Sequence, residues 1–158
     1  MKEIKNKKGF TIIEVVLVLA IAGLIFLMVF LALPALQRNQ RDTSRKNSLA
    51  SMSSQLANYQ SSSRGQLPST TAGTASGTIG GFVANYMAGD ELFNDPQSNS
   101  PFTVQTTALT ASSATGTIYY APGNMCGEGG AVTNTGANAR NFALVMKLEN
   151  GFYCLDNR

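Results

Sequence analysis

Residues 15–33 carry no charged and no polar side chain. That run constrains the chain more than any other feature. A helix of about 20 apolar residues, at about 1.5 Å each, spans the ~30 Å hydrocarbon core of a bilayer. A helix apolar on every side is either buried or membrane-embedded. Residues 10–36 therefore read as a membrane helix. Lys2, Lys5, Lys7 and Lys8 precede it, and Arg38, Arg41, Arg45 and Lys46 follow. Positive charge alone thus does not set its orientation. A short basic start held inside, with the larger remainder exported, is the simpler arrangement.

No glycine or proline interrupts residues 35–63, and Leu49, Met52, Leu56 and Tyr59 recur at spacings of three and four. That is one face of an amphipathic helix, read as a packing stripe. One helix is expected from Thr11 to Ser62, apolar all round in its first half. Pro34 is expected to bend or locally open it near residues 30–34. Arg64-Gly65, with Pro68 beyond, is the stop signal. Residues 64–81, rich in Ser, Thr and Gly, read as a loop. Residues 82–158 read as a globular head. Within it, 82–87 fits either a short helix or a strand, while 102–109 and 117–121 read as strands. Residues 142–148 and 152–155 flank Asn150-Gly151, the signal of a type I′ hairpin with positive φ at both turn residues. The fold expected is α+β: a long N-terminal membrane-spanning helix laid at its C-terminal half on a small antiparallel sheet.

The lysines before Gly9, set against Glu3, account for the whole net charge of +3, and the rest of the chain is balanced. The basic excess is a topological signal, not a nucleic-acid surface, and nucleic acid is left open as a partner. There is no histidine. Histidine-based nucleophilic catalysis and histidine-ligated metal sites are therefore excluded. No phosphate-binding Gly-rich loop with its Lys-Ser/Thr is present. No catalytic constellation appears, and the chain reads as a non-enzyme. Asp90, Glu91 and Asp95 form a small acidic cluster whose oxygens suit Ca²⁺, but their spacing fits no EF-hand loop. A solvated loop is the plainer reading, and no cofactor is expected. Cys126 and Cys154 are the only cysteines. In an exported domain they read as one disulfide, and in a cytosolic one as two buried thiols. A bridge closing that loop would contribute roughly 3.5 kcal/mol on chain-entropy grounds.

The N-terminus admits three readings. In a cleaved secretory signal, Ala20-Ile21-Ala22 fits the small-x-small site in letters, yet the apolar run continues well past it. Ala35 is better placed, but Leu33 is a poor partner for it. The second reading is an unprocessed signal anchor. The third must account for Glu14, a carboxylate at the edge of the apolar run, where burial in a bilayer costs about 2.5–3.5 kcal/mol on insertion scales. It must also account for the small residue Gly9 directly before Phe10.

Lys8-Gly9-Phe10-Thr11-Ile12-Ile13-Glu14-Val15 resembles the class III signal of type IV pilins and pseudopilins. The resemblance covers about residues 1–60. It implies that a prepilin peptidase cuts after Gly9 on the cytoplasmic side and that the apolar helix is retained. Phe10 would become the first mature residue and be N-methylated, with Glu14 fifth. Gly23 matches a glycine common in the family's helix, whereas Pro34 lies later than the usual proline. The resemblance also implies a pilin-like head with a disulfide near its C-terminus, here Cys126 and Cys154. It implies a homo-oligomeric helical filament in which Glu14 serves assembly, with an assembly platform and an ATPase motor as further partners. The precursor would sit in the cytoplasmic membrane with its head outside, and the mature form in an extracellular or periplasmic filament. Surface pilus and secretion or DNA-uptake pseudopilus are not separated by these residues. The reading from another class is a monomeric membrane-anchored binding domain.

Overall fold

The structure, a computed structural model, describes residues 9–89, 91–134 and 136–158. The chain forms two compact units, Met1–Asn39 and Gln40–Arg158. Helix α1, Ile12–Ser62, contributes to both.

In the first unit α1 begins at a cap. The Glu14 backbone N–H donates to Thr11 Oγ1 at 3.3 Å. The hydroxyl thereby satisfies one of the donors that every helix start leaves open. From Phe10 to Leu36 the large apolar side chains are exposed. A Cβ added at Gly23 would meet nothing within 4 Å. Among the described residues this is one helix long and apolar enough to cross a membrane, with a mean hydropathy of 3.2 in its most apolar window. The helix continues through Pro34 without the expected opening. Proline removes a single backbone donor, and the turns on either side keep their own bonds.

In the second unit α1 buries Leu49, Met52 and Leu56, with Tyr59 packed beside them. It ends with Arg64 and Gly65 at positive φ of 57° and 81°. The Gly65 N–H reaches back to the Gln60 carbonyl at 2.8 Å. This six-to-one bond closes the helix as a Schellman turn. The expected loop stops at Thr78, which caps a short helix, Ile79–Phe82, by accepting the Gly81 N–H at 3.0 Å. A Cβ at Gly80 or Gly81 would overlap the carbonyl oxygens of Gly73 and Ala75, so only glycine permits this close approach. A π-helical stretch, Val83–Met87, follows. It resolves 82–87 as helix and stacks Phe82 and Tyr86 beside Tyr59.

The main sheet has strands β1 (Val104–Gln105), β2 (Ile118–Pro122), β5 (Phe142–Leu148) and β6 (Gly151–Asp156), in the order β1-β2-β5-β6. β2, β5 and β6 are antiparallel, while β1 runs parallel to β2. A second, two-stranded sheet pairs β3 (Met125–Cys126) with β4 (Val132–Thr133). The layout is α+β and pilin-like, as expected, with a parallel edge the sequence did not announce.

Two local expectations are corrected. Strand 102–109 shrinks to Val104–Gln105. Phe102 turns into the core against Phe93, ring centroids 5.4 Å apart. Beyond the strand, Thr110 N–H bonds Ser113 Oγ at 2.9 Å, one of the local side-chain bonds that compete with a ladder. At the β5–β6 turn, Leu148 pairs with Gly151, so Glu149 and Asn150 form the loop. Gly151 has φ of 97°, and Asn150 is not at positive φ. The turn is therefore not type I′. Its conformation is set by contacts that Glu149 makes with α1.

Candidate functional site

Gly9 and Phe10 lie ahead of the capped helix and outside regular structure, with Phe10 84% exposed. The basic leader before them, residues 1–8, lies outside the described residues. Glu14 sits on the first helical turn and is exposed. Four residues separate it from Phe10, about one turn of helix. Among the described residues no cation partners its carboxylate. Thr11-x-x-Glu14 is also the letter pattern of a capping box, so the sequence could have announced the cap as well.

Cys126 and Cys154 are bridged, with Cα atoms 5.8 Å apart. Cys154 lies on β6 opposite Val145, and Cys126 on β3 opposite Val132. The bond ties the glycine-rich loop region to the main sheet.

The largest polar feature was not anticipated. Arg45 is fully buried, 0% exposed, on the same stripe as Leu49 and Met52. Its Nε donates to Asp95 Oδ1 at 2.7 Å and its Nη1 to Asp42 Oδ1 at 3.1 Å. Nη1 also reaches Glu149 Oε1 at 3.4 Å, and Nη2 reaches Gln97 Oε1 at 3.3 Å. One turn earlier Arg41 grips Glu149 with two bonds, 2.5 Å from Nε and 3.1 Å from Nη2. Asp42 Oδ1 also accepts the Glu149 backbone N–H at 3.1 Å, and Ser48 Oγ donates to the Leu92 carbonyl. Two turns of α1 thereby hold the β5–β6 turn and the segment from Leu92 to Gln97.

Electrostatics follow this geometry. The Arg41 hydrogen bond holds the Glu149 carboxyl below its usual value; burial opposes this, and the charges of Arg41 and Arg45 add to it. Burial alone would lower the Arg45 guanidinium, but the bond and charge of Asp95, then of Asp42, raise it above its usual value. The signal that could have exposed this cluster is register: Arg41, Asp42 and Arg45 extend the apolar stripe backward at helical spacing.

The same contacts bear on the acidic cluster. Asp95 Oδ1 is engaged by Arg45 and Oδ2 by the Ser98 backbone N–H at 3.2 Å, so one oxygen serves the helix and the other its own turn. Asp90 and the Glu91 side chain lie outside the described residues. Among the described residues no group of three or more His, Cys, Asp or Glu is placed to hold a metal ion.

In comparison with known proteins, the prokaryotic N-terminal methylation motif matches residues 4–30. No curated protein and no solved structure matches the chain significantly. The match joins Gly9, Phe10, Glu14 and the start of the apolar helix in one N-terminal segment.

Proposed function

We propose that this chain, which carries the class III signal motif of type IV pilins, is a structural subunit of a pilus-like filament. The motif and the apolar helix support a membrane-anchored precursor of pilin or pseudopilin type. In the finer reading, prepilin peptidase cuts after Gly9, and Phe10 becomes the N-methylated first residue. The head lies outside the membrane. The assembly platform and ATPase motor then draw the subunit into a homo-oligomeric filament.

One observation carries the reading: the matched segment runs into the first half of α1, whose large apolar side chains are exposed among the described residues and whose one carboxylate is Glu14. Cleavage leaves a cationic amine on Phe10. In a membrane or filament core that amine and the Glu14 carboxylate each need a partner, and a neighbouring copy supplies both. Desolvation offsets much of their attraction, so the pair sets axial register more than it adds cohesion. Cohesion comes from helix-to-helix contact of the aliphatic side chains.

The test compares sheared surface fractions of wild type and Glu14→Ala by mass spectrometry. Glu14→Ala is expected to be processed normally and to be absent from filaments. Normal filament yield from Glu14→Ala would remove that role. Recovery of wild type solely as a membrane monomer would support an anchored binding domain instead.

A further inference from the structure

On β6, Cys154 and Asp156 are two residues apart, so both project from one face of the strand. Both reach Cys126. Cys154 does so through sulfur. Asp156 Oδ2 accepts the Cys126 backbone N–H at 2.8 Å. Arg158 Nη2 donates to the Cys126 carbonyl at 2.7 Å, while its Nε donates to Asp156 Oδ2 at 2.9 Å. The run Cys154-Leu155-Asp156-Asn157-Arg158 thus grips one residue by its N–H, its carbonyl and its sulfur. Burial alone would raise the Asp156 carboxyl. The Cys126 and Arg158 backbone N–H groups and the Arg158 charge outweigh burial and hold it below its usual value.

Two of these three contacts, those to the Cys126 N–H and carbonyl, do not depend on the sulfur–sulfur bond and can form before it exists. We propose that Asp156 and Arg158 are positioning residues for oxidation of the Cys126–Cys154 pair, docking Cys126 beside Cys154 while both are still thiols. The oxidant is a disulfide compound met outside the cytoplasm. One cysteine thiolate attacks an oxidant sulfur, forming a mixed disulfide and releasing one oxidant thiolate. The other cysteine thiolate then attacks the chain's own sulfur in that mixed disulfide, forming the Cys126–Cys154 bond and releasing the second. The chain loses two protons and two electrons, and the oxidant leaves fully reduced. Docking accelerates the second, intramolecular attack by orientation. This role is independent of filament assembly.

The test uses the full chain in detergent micelles and two readings. In the first, reduced protein is equilibrated with reduced and oxidised glutathione, and the bridged fraction is read by alkylation and mass spectrometry. Asp156→Ala is expected to lower the effective concentration of the thiol pair about tenfold, the scale of a lost charged hydrogen bond. Arg158→Ala, at an exposed side chain, should lower it about threefold, with partial recovery in Arg158→Lys. The second reading is amide exchange at residues 125–127 in the fully reduced wild type. Protection there, lost in reduced Asp156→Ala, is the expected result. Fast exchange in the reduced wild type, whether or not β5 stays protected, overturns the proposal. So does an unchanged effective concentration in Asp156→Ala.

Discussion

In the two halves of α1 composition and burial run in opposite senses. Up to Asn39 the helix is almost wholly apolar, yet its large side chains are exposed. From Gln40 it is mostly polar, yet it buries Arg45, Ser48, Leu49, Met52 and Leu56. Among the described residues the large side chains of the more apolar half stay exposed, and the more polar half supplies one wall of the core. Apolar surface of that extent is not stable in water. A bilayer or other copies would cover the first half in the function proposed above. The second is completed by the chain's own sheet and by ion pairs. Composition says how much burial a helix needs, and patterning says where the partner is.

This contrast can be broken at specific side chains. Arg45→Met should give the largest effect. Removing the buried cation strips Asp95 and Asp42 of their guanidinium partner, while Glu149 keeps Arg41; breaking a buried pair in this way costs about 3–5 kcal/mol. Thermal unfolding of the head, followed by near-ultraviolet circular dichroism in micelles, would show it. An unchanged midpoint would mean that the cluster is ornamental.

One chemical change made in both halves sharpens the contrast. Leu56→Ala empties a fully buried site and should cost about 2–5 kcal/mol of head stability. Leu24→Ala removes the same atoms from an exposed site and should leave that unfolding unmoved. Comparable losses at both positions would mean that the first half also rests on the head.

The smallest effect is acid sensitivity. Glu149 and Asp156 have ordinary values of 4.5 and 3.8, and both are held lower in the folded chain. Each therefore binds its proton more readily when unfolded. Their stabilisation is complete above those ordinary values and is lost as pH falls through the lowered folded ones. Unfolding midpoints should be flat from pH 7 to about 5 and fall below about 4. Glu149→Gln should flatten part of that fall.

Much of this was legible in the sequence because it is local. The Gly9-Phe10 pair with Glu14, the apolar run, the Leu49–Leu56 stripe and strands β5 and β6 each depend on spacing within a few residues. What stayed hidden depends on partners far along the chain. Arg45 reads as a solvated juxtamembrane cation until Asp95 and Glu149 are brought beside it. Asn150-Gly151 reads as a type I′ turn until Arg41 and Asp42 take hold of Glu149. Phe102 reads as the start of a strand until Phe93 draws it into the core. In each case a tertiary contact outweighed a local preference worth a kcal/mol or so.

In the function proposed above, the N-terminal segment is a processed pilin-type signal whose helix is kept. The intact mass and N-terminal sequence of the mature protein test it directly. The prediction is a chain beginning at Phe10, shortened by residues 1–9 and heavier by one methyl group. A chain beginning after Ala22 or Ala35, or one still carrying its leader, would contradict it.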